Sequence, residues 1–459
     1  MTTNGKGKDQ NNKNDDLNYL HEEKKNSEDN AGVYPLEHVP LEAKKNFFPI
    51  LSILLGFTFF SPTIIAGATI GSNFDMSTLL LICLAGNLVL GVYGGLLCKI
   101  GASTGLGAVM LSRYTLGRVG VKWADLLLGG TELGWYAVNA NFIGGLYAEA
   151  LGQPDKVVLW TVIWGVVMAI TAIYGFKAVS IIAYASLPMI VVLVGLMPIL
   201  AVKEVGSLSA IFEISAVSRD MSVSTAMTMI MGTFAAGATQ ANNWSKFNRT
   251  GKEGFWAGFI AFFVGNALMI LVGMIAAIAF QKSDITVIFK DMGILWLAII
   301  ILTFNIWSTN NAGASAVGFA ASEFFGKDRY RMYITVGIGA AIVLGASGVY
   351  AYFIPFLVML GTVIPPLGGT IIGDYFFTWK GRLPKIEYVE SFKLFRISTV
   401  VSYILGVLVS IITNTINWGM PSLQGIIVSA LCVPVINIIL KKVGINDTHE
   451  IKTNPEFTD

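Results

Sequence analysis

Long apolar stretches separated by short polar connections make up most of the chain, from about residue 48 to residue 441. We identify twelve such stretches, each about as long as the ~20 apolar residues that a transmembrane helix takes. The pattern therefore predicts an all-α integral membrane protein with twelve transmembrane helices. The predicted spans, called segments 1 to 12 in chain order, are 48–72, 77–99, 123–150, 157–175, 179–202, 224–241, 255–280, 293–320, 331–349, 351–376, 395–414 and 421–441.

The two ends of the chain differ from the predicted twelve-helix membrane domain, which covers residues 46–442. Residues 1–45 begin with a run rich in Lys, Asn, Asp and Glu that has almost no large apolar side chain. Such a composition buries too little apolar surface to fold, so a disordered N-terminal tail is predicted. Residues 443–459 form a shorter polar tail at the other end.

Composition narrows the class of protein. Of the 459 residues, 54% are hydrophobic and 13% are charged, whereas about 25% of the residues in soluble domains are charged. This excludes a cytosolic enzyme and a secreted disulfide scaffold. His21, His38 and His449 all lie in the polar tails. Since the apolar segments hold neither histidine nor a paired nucleophile and base, we expect no enzyme, no catalytic residue and no organic cofactor.

Lysine and arginine are distributed unevenly between the connections. If the N-terminus lies inside, the cytoplasmic connections carry 16 of these residues and the opposite connections carry 5. The positive-inside rule then places both termini in the cytoplasm, which agrees with an even number of helices. The expected location is the cytoplasmic (inner) membrane.

Two segments contain residues that interrupt a helix. Segment 1 has Pro62 among small residues, and segment 6 has glycines and hydroxyl residues between Gly232 and Thr239. Segments 1 and 6 occupy matching positions if two inverted repeats are followed by two extra helices, and paired broken helices point to a transporter's binding site. The alternative is that the small residues only allow close helix packing. The repeats would span about 48–202 and 224–376, and the extra helices about 395–441.

An acidic side chain lies deep inside segment 3. Glu132 follows Lys122 by ten residues, which is about 15 Å along a helix and near the membrane midplane. Trp135 follows at i+3 and projects from the same face. Ionisable residues at this depth are costly and usually functional. An acid beside an indole can bind the edge and the face of a flat heterocycle, while a purely structural pair is the alternative.

Segment 8 presents a stripe of neutral oxygens. Asn305, Ser308 and Thr309 fall at i, i+3 and i+4 of one helix. Together with the free carbonyls of a broken helix, such oxygens suit a small hard cation such as sodium. The same side chains could instead form hydrogen bonds between helices.

Several motifs resemble the cytosine permease branch of the nucleobase:cation symporter-1 family. The resemblance extends over about residues 45–440. It implies a five-plus-five inverted-repeat transporter fold with broken helices 1 and 6 and two extra helices, and ion-coupled uptake of nucleobases or related heterocycles. The motifs are GFTFFS (56–61), LLLGGTELGW (126–135), NIWSTN (305–310) and IPPLGGTIIGDYF (364–376).

By motif position, the resemblance also implies a substrate site and a cation site. A base would stack between Trp135 and Phe234, and polar groups would read its edge. The edge-reading groups are Glu132, Asn310 and the backbone at Ala236 and Gly237. The sodium site would combine segment 1 carbonyls with the segment 8 stripe, namely Gly56, Phe60, Asn305, Ser308 and Thr309.

The chain departs from the family motifs at three places. Glu132 stands where the family has glutamine, Ala236 stands where it has serine, and Asn-Ala-Gly at 311–313 replaces Asp-Asn-Ala. A protonated Glu132 could bind a cytosine-like base as glutamine would, whereas an ionised Glu132 would accept from a donor-rich purine or a thiamine-type pyrimidine such as hydroxymethylpyrimidine. Proton coupling through Glu132 is a third hypothesis.

The sequence therefore predicts sodium-coupled, or proton-coupled, import of a nucleobase or related heterocycle. Segments 1, 2, 6 and 7 would rock against the others during transport. The expected partners are the small-molecule substrate and the lipid bilayer, without nucleic acid and without an obligatory protein partner. Because the same fold hosts amino-acid and polyamine carriers, a transporter of that kind is the alternative.

Overall fold

A computed structural model describes residues 37–174, 176–325 and 329–447, and the regular structure in these ranges is helical. Helices occupy all twelve predicted segments, and their ends lie within a few residues of the predicted ones. In order, the segments are Phe47–Thr58 with Pro62–Gly71, Met76–Thr104, Val121–Ala150, Val157–Tyr174, Phe176–Val205, Val223–Gln240, Gly251–Ile260 with Asn266–Phe280, Leu295–Phe325, Tyr330–Ala346, Phe353–Val363 with Pro365–Gly373, Ile397–Thr415 and Pro421–Lys442. The predicted tails lie for the most part outside the described residues.

Not all of these helices are equally apolar. Within the described ranges, seven are long and apolar enough to cross a membrane, and the bent pair of segment 1 makes eight. The polar residues that the sequence singles out lie in segments 3, 6 and 8, which are not among the seven, and segment 9 contains a shorter apolar helix, Arg331–Ala346. The all-helical prediction is confirmed, whereas twelve membrane crossings stay a prediction.

Segments 1 and 6 are interrupted where the sequence predicts. The two halves of segment 1 meet at an angle of 57°. Pro62 begins the second half, a position where its missing N–H leaves no helical hydrogen bond unmade. In segment 6, Phe234 leaves the helical conformation, with φ −133° and ψ 16°. The expectation of broken helices at these two positions is confirmed.

Other glycines of segment 1 serve helix packing. A Cβ on Gly67 would collide with the backbone of Ile270, and one on Gly71 would lie 2.6 Å from the Cα of Met274. The second half of segment 1 and the second half of segment 7 thus pack backbone to backbone, as small residues allow in membranes. These two glycines therefore allow close helix packing, as the alternative interpretation expects. The break in segment 1 lies before them in the chain.

The segments form two groups. Segments 1, 2, 6 and 7 pack on one another, and segments 3, 4, 8 and 9 form the second group. Segment 5 lies against segments 7 and 8, segment 10 lies against segment 6, and segments 11 and 12 pair. The candidate residues of segments 3 and 8 therefore belong to one group, and the breaks of segments 1 and 6 belong to the other.

Local features appear that the hydrophobic pattern does not predict. Segment 7 contains a π-helical turn at Ala261–Gly265, and segment 10 ends in another at Asp374–Thr378. Such turns hold one extra residue and are frequent at functional sites. Short helices at Ala108–Leu116 and Ile285–Asp291 lie in the connections after segments 2 and 7.

The boundary predicted for the N-terminal tail, at residue 45, lies too far along the chain. Residues 37–45 lie against the helices: the N–H of Val39 donates to the Gly105 carbonyl at 3.1 Å, and the N–H of Lys45 donates to the Phe247 carbonyl at 2.6 Å. These backbone groups find partners that a composition argument does not foresee. Residues 37–45 therefore belong to the folded unit.

The first residues of the predicted C-terminal tail pack against the start of segment 11. Asp447 is buried, and its carboxylate accepts from the N–H of Ile397 at 2.7 Å and from that of Ser398 at 2.8 Å. This caps the helix, because a helix start leaves its first N–H groups without partners. Just before it, Arg396 Nη2 pairs with Asp374 Oδ1 at 2.8 Å in a fully buried ion pair. Residues 443–447 thus belong to the folded unit as well.

Candidate functional site

Aromatic side chains from segments 1, 3 and 6 meet at the two breaks. Trp135 and Phe234 are both buried, and the ring of Phe60 lies edge-to-face against each of them, with centroids 5.1 Å and 5.9 Å away. Phe353 and Phe356 of segment 10 also contact Trp135, at 6.4 Å and 5.2 Å. The structure brings Trp135 and Phe234 into one cluster, and it does so through Phe60, whose ring the sequence did not single out.

The backbone after the kink in segment 6 lines the same region. Ala236 and Gly237, which follow Phe234 and Ala235 in the chain, are buried. A Cβ on Gly237 would lie 2.6 Å from the ring of Phe57, so this position requires a residue without a side chain. A kink also interrupts the helical ladder, which is how backbone groups of a broken segment become available to a ligand.

Glu132 lies at the junction of segments 3, 6 and 8. Its Oε1 accepts from Nε2 of Gln240 at 3.4 Å, and its Oε2 lies 2.9 Å from the place that a Cβ on Gly313 would take. The one hydrogen bond is long, so the carboxyl group keeps acceptor capacity. Gln240 ends segment 6, and nothing in the hydrophobic pattern marks it as a partner of segment 3.

Asn310 belongs to a buried amide pair. Asn139 Nδ2 donates to Asn310 Oδ1 at 2.8 Å, and Asn310 Nδ2 points to the sulfur of Met168 at 3.5 Å. Asn139 Oδ1 is buried and has no hydrogen-bond partner among the described residues. A buried acceptor of this kind calls for a partner. Sequence reasoning missed Asn139, although its spacing of i+4 from Trp135 and i+7 from Glu132 puts all three on one helical stripe.

Asn305 binds both sides of the break in segment 1. Its Oδ1 accepts from the N–H and the hydroxyl of Ser61, at 2.9 Å and 2.6 Å, and its Nδ2 donates to the carbonyl of Phe59 at 2.9 Å. Asn305 is 4% exposed and Ser61 is 1% exposed. The structure therefore joins segments 1 and 8 at the predicted place, with the Asn305 oxygen bonded to Ser61.

The segment 1 carbonyls differ in what they face. The Phe60 carbonyl accepts from the hydroxyl of Thr63 at 2.6 Å within its own segment, so the carbonyl directed at segment 8 is that of Phe59. The N–H of Phe60 donates to Thr58 at 2.8 Å, and no backbone N–H of the described chain donates to the Gly56 carbonyl. The break thus frees a carbonyl at Gly56.

The remaining predicted cation ligands lie one turn along segment 8 from Asn305. Thr309 Oγ1 donates to the carbonyls of Asn305 and Ile306, at 3.1 Å and 3.0 Å, and Ser308 is half-buried. These are neutral oxygens, as a hard cation with a small charge prefers. Across the described ranges, no three His, Cys, Asp or Glu side chains lie close enough to hold a metal ion.

Comparison with known proteins identifies the family. Residues 41–437 match the family model described as "Permease for cytosine/purines, uracil, thiamine, allantoin". The chain belongs to this permease family. It is 29% identical to the cytosine permease of Escherichia coli (strain K12) over 404 residues, which cover 88% of this chain and 94% of the relative. The family that the motifs suggest is thereby confirmed.

Solved structures show the same fold. The inward-facing conformation of Mhp1 matches with a TM-score of 0.76 at 15% identity, over 88% of this chain and 94% of Mhp1. A closed conformation of Mhp1, a nucleobase-cation-symport-1 family transporter with bromovinylhydantoin bound, matches at 0.71 with 16% identity, over 90% and 96%. A Na⁺-coupled sialic acid symporter matches at 0.51 with 11% identity, over 89% and 98%. This permease is therefore a multi-pass membrane transport protein and not an enzyme.

Proposed function

We propose that this permease imports a nucleobase or a closely related flat heterocycle together with sodium. The observation that carries the proposal is the convergence of the two broken segments on a buried aromatic cluster, with polar groups of segments 3 and 8 at its side. Aromatic walls with a few placed polar groups suit a flat ring, since they bind its faces and read its edge. The family description and the cytosine permease relative support a base rather than an amino acid.

In the proposed complex, Trp135 and Phe234 supply the two stacking surfaces. The Phe60 ring lies between them here, so it turns aside as the base enters. Glu132 reads the edge of the base together with the amide pair of Asn139 and Asn310. The backbone at Ala236 and Gly237 completes this edge, as the motif positions imply.

Sodium is the proposed coupling ion. Its ligands would be the free Gly56 carbonyl, the neighbouring carbonyl of Phe59 or Phe60, and the oxygens of segment 8 at Asn305, Ser308 and Thr309. The neutral donor set supports this, as do the cation-symport description of Mhp1 and the Na⁺-coupled neighbour. Proton coupling through Glu132 is the competing outcome.

The proposed topology has twelve crossings with both termini in the cytoplasm of an inner membrane. It comprises two inverted repeats, about 48–202 and 224–376, and two extra helices. The separation of the helices into two groups supports a rocking movement of segments 1, 2, 6 and 7 against the others. The excess of Lys and Arg in the cytoplasmic connections supports the orientation.

Thermal stabilisation of the purified full-length protein tests the function. It is measured in sodium chloride and in choline chloride with cytosine, adenine, guanine, hypoxanthine, uracil, hydroxymethylpyrimidine, thiamine, allantoin, several amino acids and a polyamine. A ligand that binds the folded state raises the midpoint by mass action. We expect one heterocycle to raise it, and more so in sodium. A shift from an amino acid or polyamine, with none from any base, would overturn the proposal.

A further inference from the structure

A buried polar triad lies behind the break of segment 6. Asn266 of segment 7 donates to Asn87 Oδ1 of segment 2 at 2.8 Å and to Thr233 Oγ1 of segment 6 at 3.1 Å. The Thr233 hydroxyl donates in turn to the Ile230 carbonyl at 2.7 Å. All three members of the triad are buried. Because Thr233 directly precedes Phe234, the triad fixes the residue at which segment 6 leaves the helical conformation.

The same turn of segment 7 also contacts the break of segment 1. Asn266 follows directly on the π-helical turn Ala261–Gly265. Gly265 packs against Thr58, the last residue of the first half of segment 1, so closely that a Cβ on Gly265 would lie 3.0 Å from the Thr58 Cβ and collide with its hydroxyl. One turn of helix therefore contacts the end of one broken segment and holds the kink of the other.

An aromatic contact strengthens the link on the substrate side. Phe262, inside the π-helical turn, is fully buried, and its ring centroid lies 5.9 Å from that of Phe234. Segment 2 also packs closely on Phe262, since a Cβ on Gly94 would lie 2.5 Å from the Phe262 ring. Because this ring is closely packed, a shift of the π-helical turn would move the Phe234 ring as well.

We propose that this turn of segment 7 couples the cation site at the segment 1 break to the base site at the segment 6 break. Sodium at segment 1 would move Thr58 against Gly265, and Asn266 would pass the displacement to Thr233 and Phe234. Packed interfaces of this kind switch between discrete arrangements rather than deforming gradually. The inference rests on the proposed sodium-coupled function, and it assigns the coupling to Thr58, Thr233, Gly265 and Asn266, none of which is a proposed ligand.

The test follows the segment 6 break with sodium as the only added ligand. Ala236→Cys places a thiol just after Phe234, in full-length protein with Cys432→Ser. The Cys432→Ser protein without Ala236→Cys gives the background rate, because Cys83 and Cys98 are buried as Ala236 is. The rate of labelling by N-ethylmaleimide is measured in sodium chloride and in choline chloride. The ratio of the two rates reports how strongly sodium acts on the base site.

Substitutions at the triad then separate coupling from folding. Thr233→Val removes the hydroxyl at nearly constant volume, and Thr233→Ser restores it. Thr228→Val is the matched control, because Thr228 is equally buried in segment 6 and its hydroxyl donates to Ser224 of its own helix. Thr58→Ala tests the other end of the link, and it decides the question if Thr233→Val does not fold.

Coupling between sites is typically about 5- to 150-fold, so the parental ratio should differ from unity by at least about fivefold. We expect Thr233→Val and Thr58→Ala to bring it within about twofold of unity, while Thr233→Ser and Thr228→Val keep the parental value. A parental effect that persists in Thr233→Val and Thr58→Ala overturns the coupling role and leaves the proposed function intact. A parental ratio of unity overturns this inference, and the base panel in sodium chloride and choline chloride shows separately whether sodium coupling and base binding stand.

Discussion

Replacing Asn305 by alanine removes the side chain that ties segment 8 to the bend of segment 1. Three hydrogen bonds of 2.6 to 2.9 Å are lost, two from Ser61 and one to the Phe59 carbonyl. All of them cross from one group of helices to the other, and they join residues 244 and 246 positions apart in the chain. Alanine has no polar side-chain atom that could replace these bonds. The bend of segment 1 therefore loses its direct contact with segment 8 at this point.

The size of the effect follows from the bond count. Hydrogen bonds between helices in a membrane average about 0.6 kcal/mol each, so three are worth about 2 kcal/mol. Leaving Ser61 and the Phe59 carbonyl buried without partners adds to this cost. Since about 1.4 kcal/mol is tenfold in an equilibrium constant, 2 kcal/mol corresponds to about 30-fold. If the bend of segment 1 holds the sodium ligands in position, the half-saturating sodium concentration of Asn305→Ala should rise by about that factor.

The assay is a sodium titration of the thermal midpoint of purified protein, repeated as sodium-dependent uptake of whichever base the stabilisation panel identifies. Asn437→Ala is the matched control, because Asn437 is a buried asparagine of segment 12 whose Oδ1 has no hydrogen-bond partner in the described structure. Its sodium titration should match the wild type. If the half-saturating sodium concentration of Asn305→Ala stays within about twofold of the wild-type value, the bend does not hold the sodium ligands in position.

Other substitutions test the remaining parts of the argument. Trp135→Ala should raise the Kd for the base by about 5- to 150-fold, because stacking on one aromatic ring is worth about 1–3 kcal/mol; uptake at an unchanged KM would contradict the stacking role. Glu132→Gln restores the amide of the family motif and should shift the stabilisation panel toward cytosine, whereas an unchanged ranking of compounds would show that Glu132 does not read the base. Asp374→Asn leaves Arg396 buried without its charge partner and should destabilise the fold by about 3–5 kcal/mol; a thermal midpoint equal to that of the wild type would contradict this.

Local chemistry predicts much of the architecture. Apolar length alone places the helices, since a segment that buries its backbone in lipid has little choice but to be helical. Pro62 and the small residues around it predict the bend of segment 1, because proline and glycine act on the chain at their own position. The i, i+3 spacing also predicts that Glu132 and Trp135 lie on one stripe of segment 3.

Such reasoning does not predict which residues of different segments contact each other. The ring of Phe60 touches both Trp135 and Phe234, and Gln240 reaches Glu132. Each of these contacts depends on the tilt and rotation of two helices, which packing sets and which spacing along one helix does not encode. The π-helical turn of segment 7 is hidden for the same reason, because its extra residue is stabilised by neighbours in segments 1, 2 and 6.

Two of the departures from the cytosine permease motifs are far apart along the chain and adjacent in the structure. Glu132 stands where the family has glutamine, and Gly313 stands where it has alanine, yet one carboxylate oxygen lies 2.9 Å from the place that a Cβ on residue 313 would take. An alanine there would make the carboxylate move. Glutamate at 132 and glycine at 313 thus fit each other, and the Gln240 amide donates to the same group. Because Trp135 and Phe234 match the family motifs, the proposed stacking surfaces are shared, and the difference in chemistry lies at the edge that Glu132 is proposed to bind. Selectivity for a base other than cytosine would then arise at this junction of segments 3, 6 and 8, while the aromatic walls would accept any flat ring of suitable size.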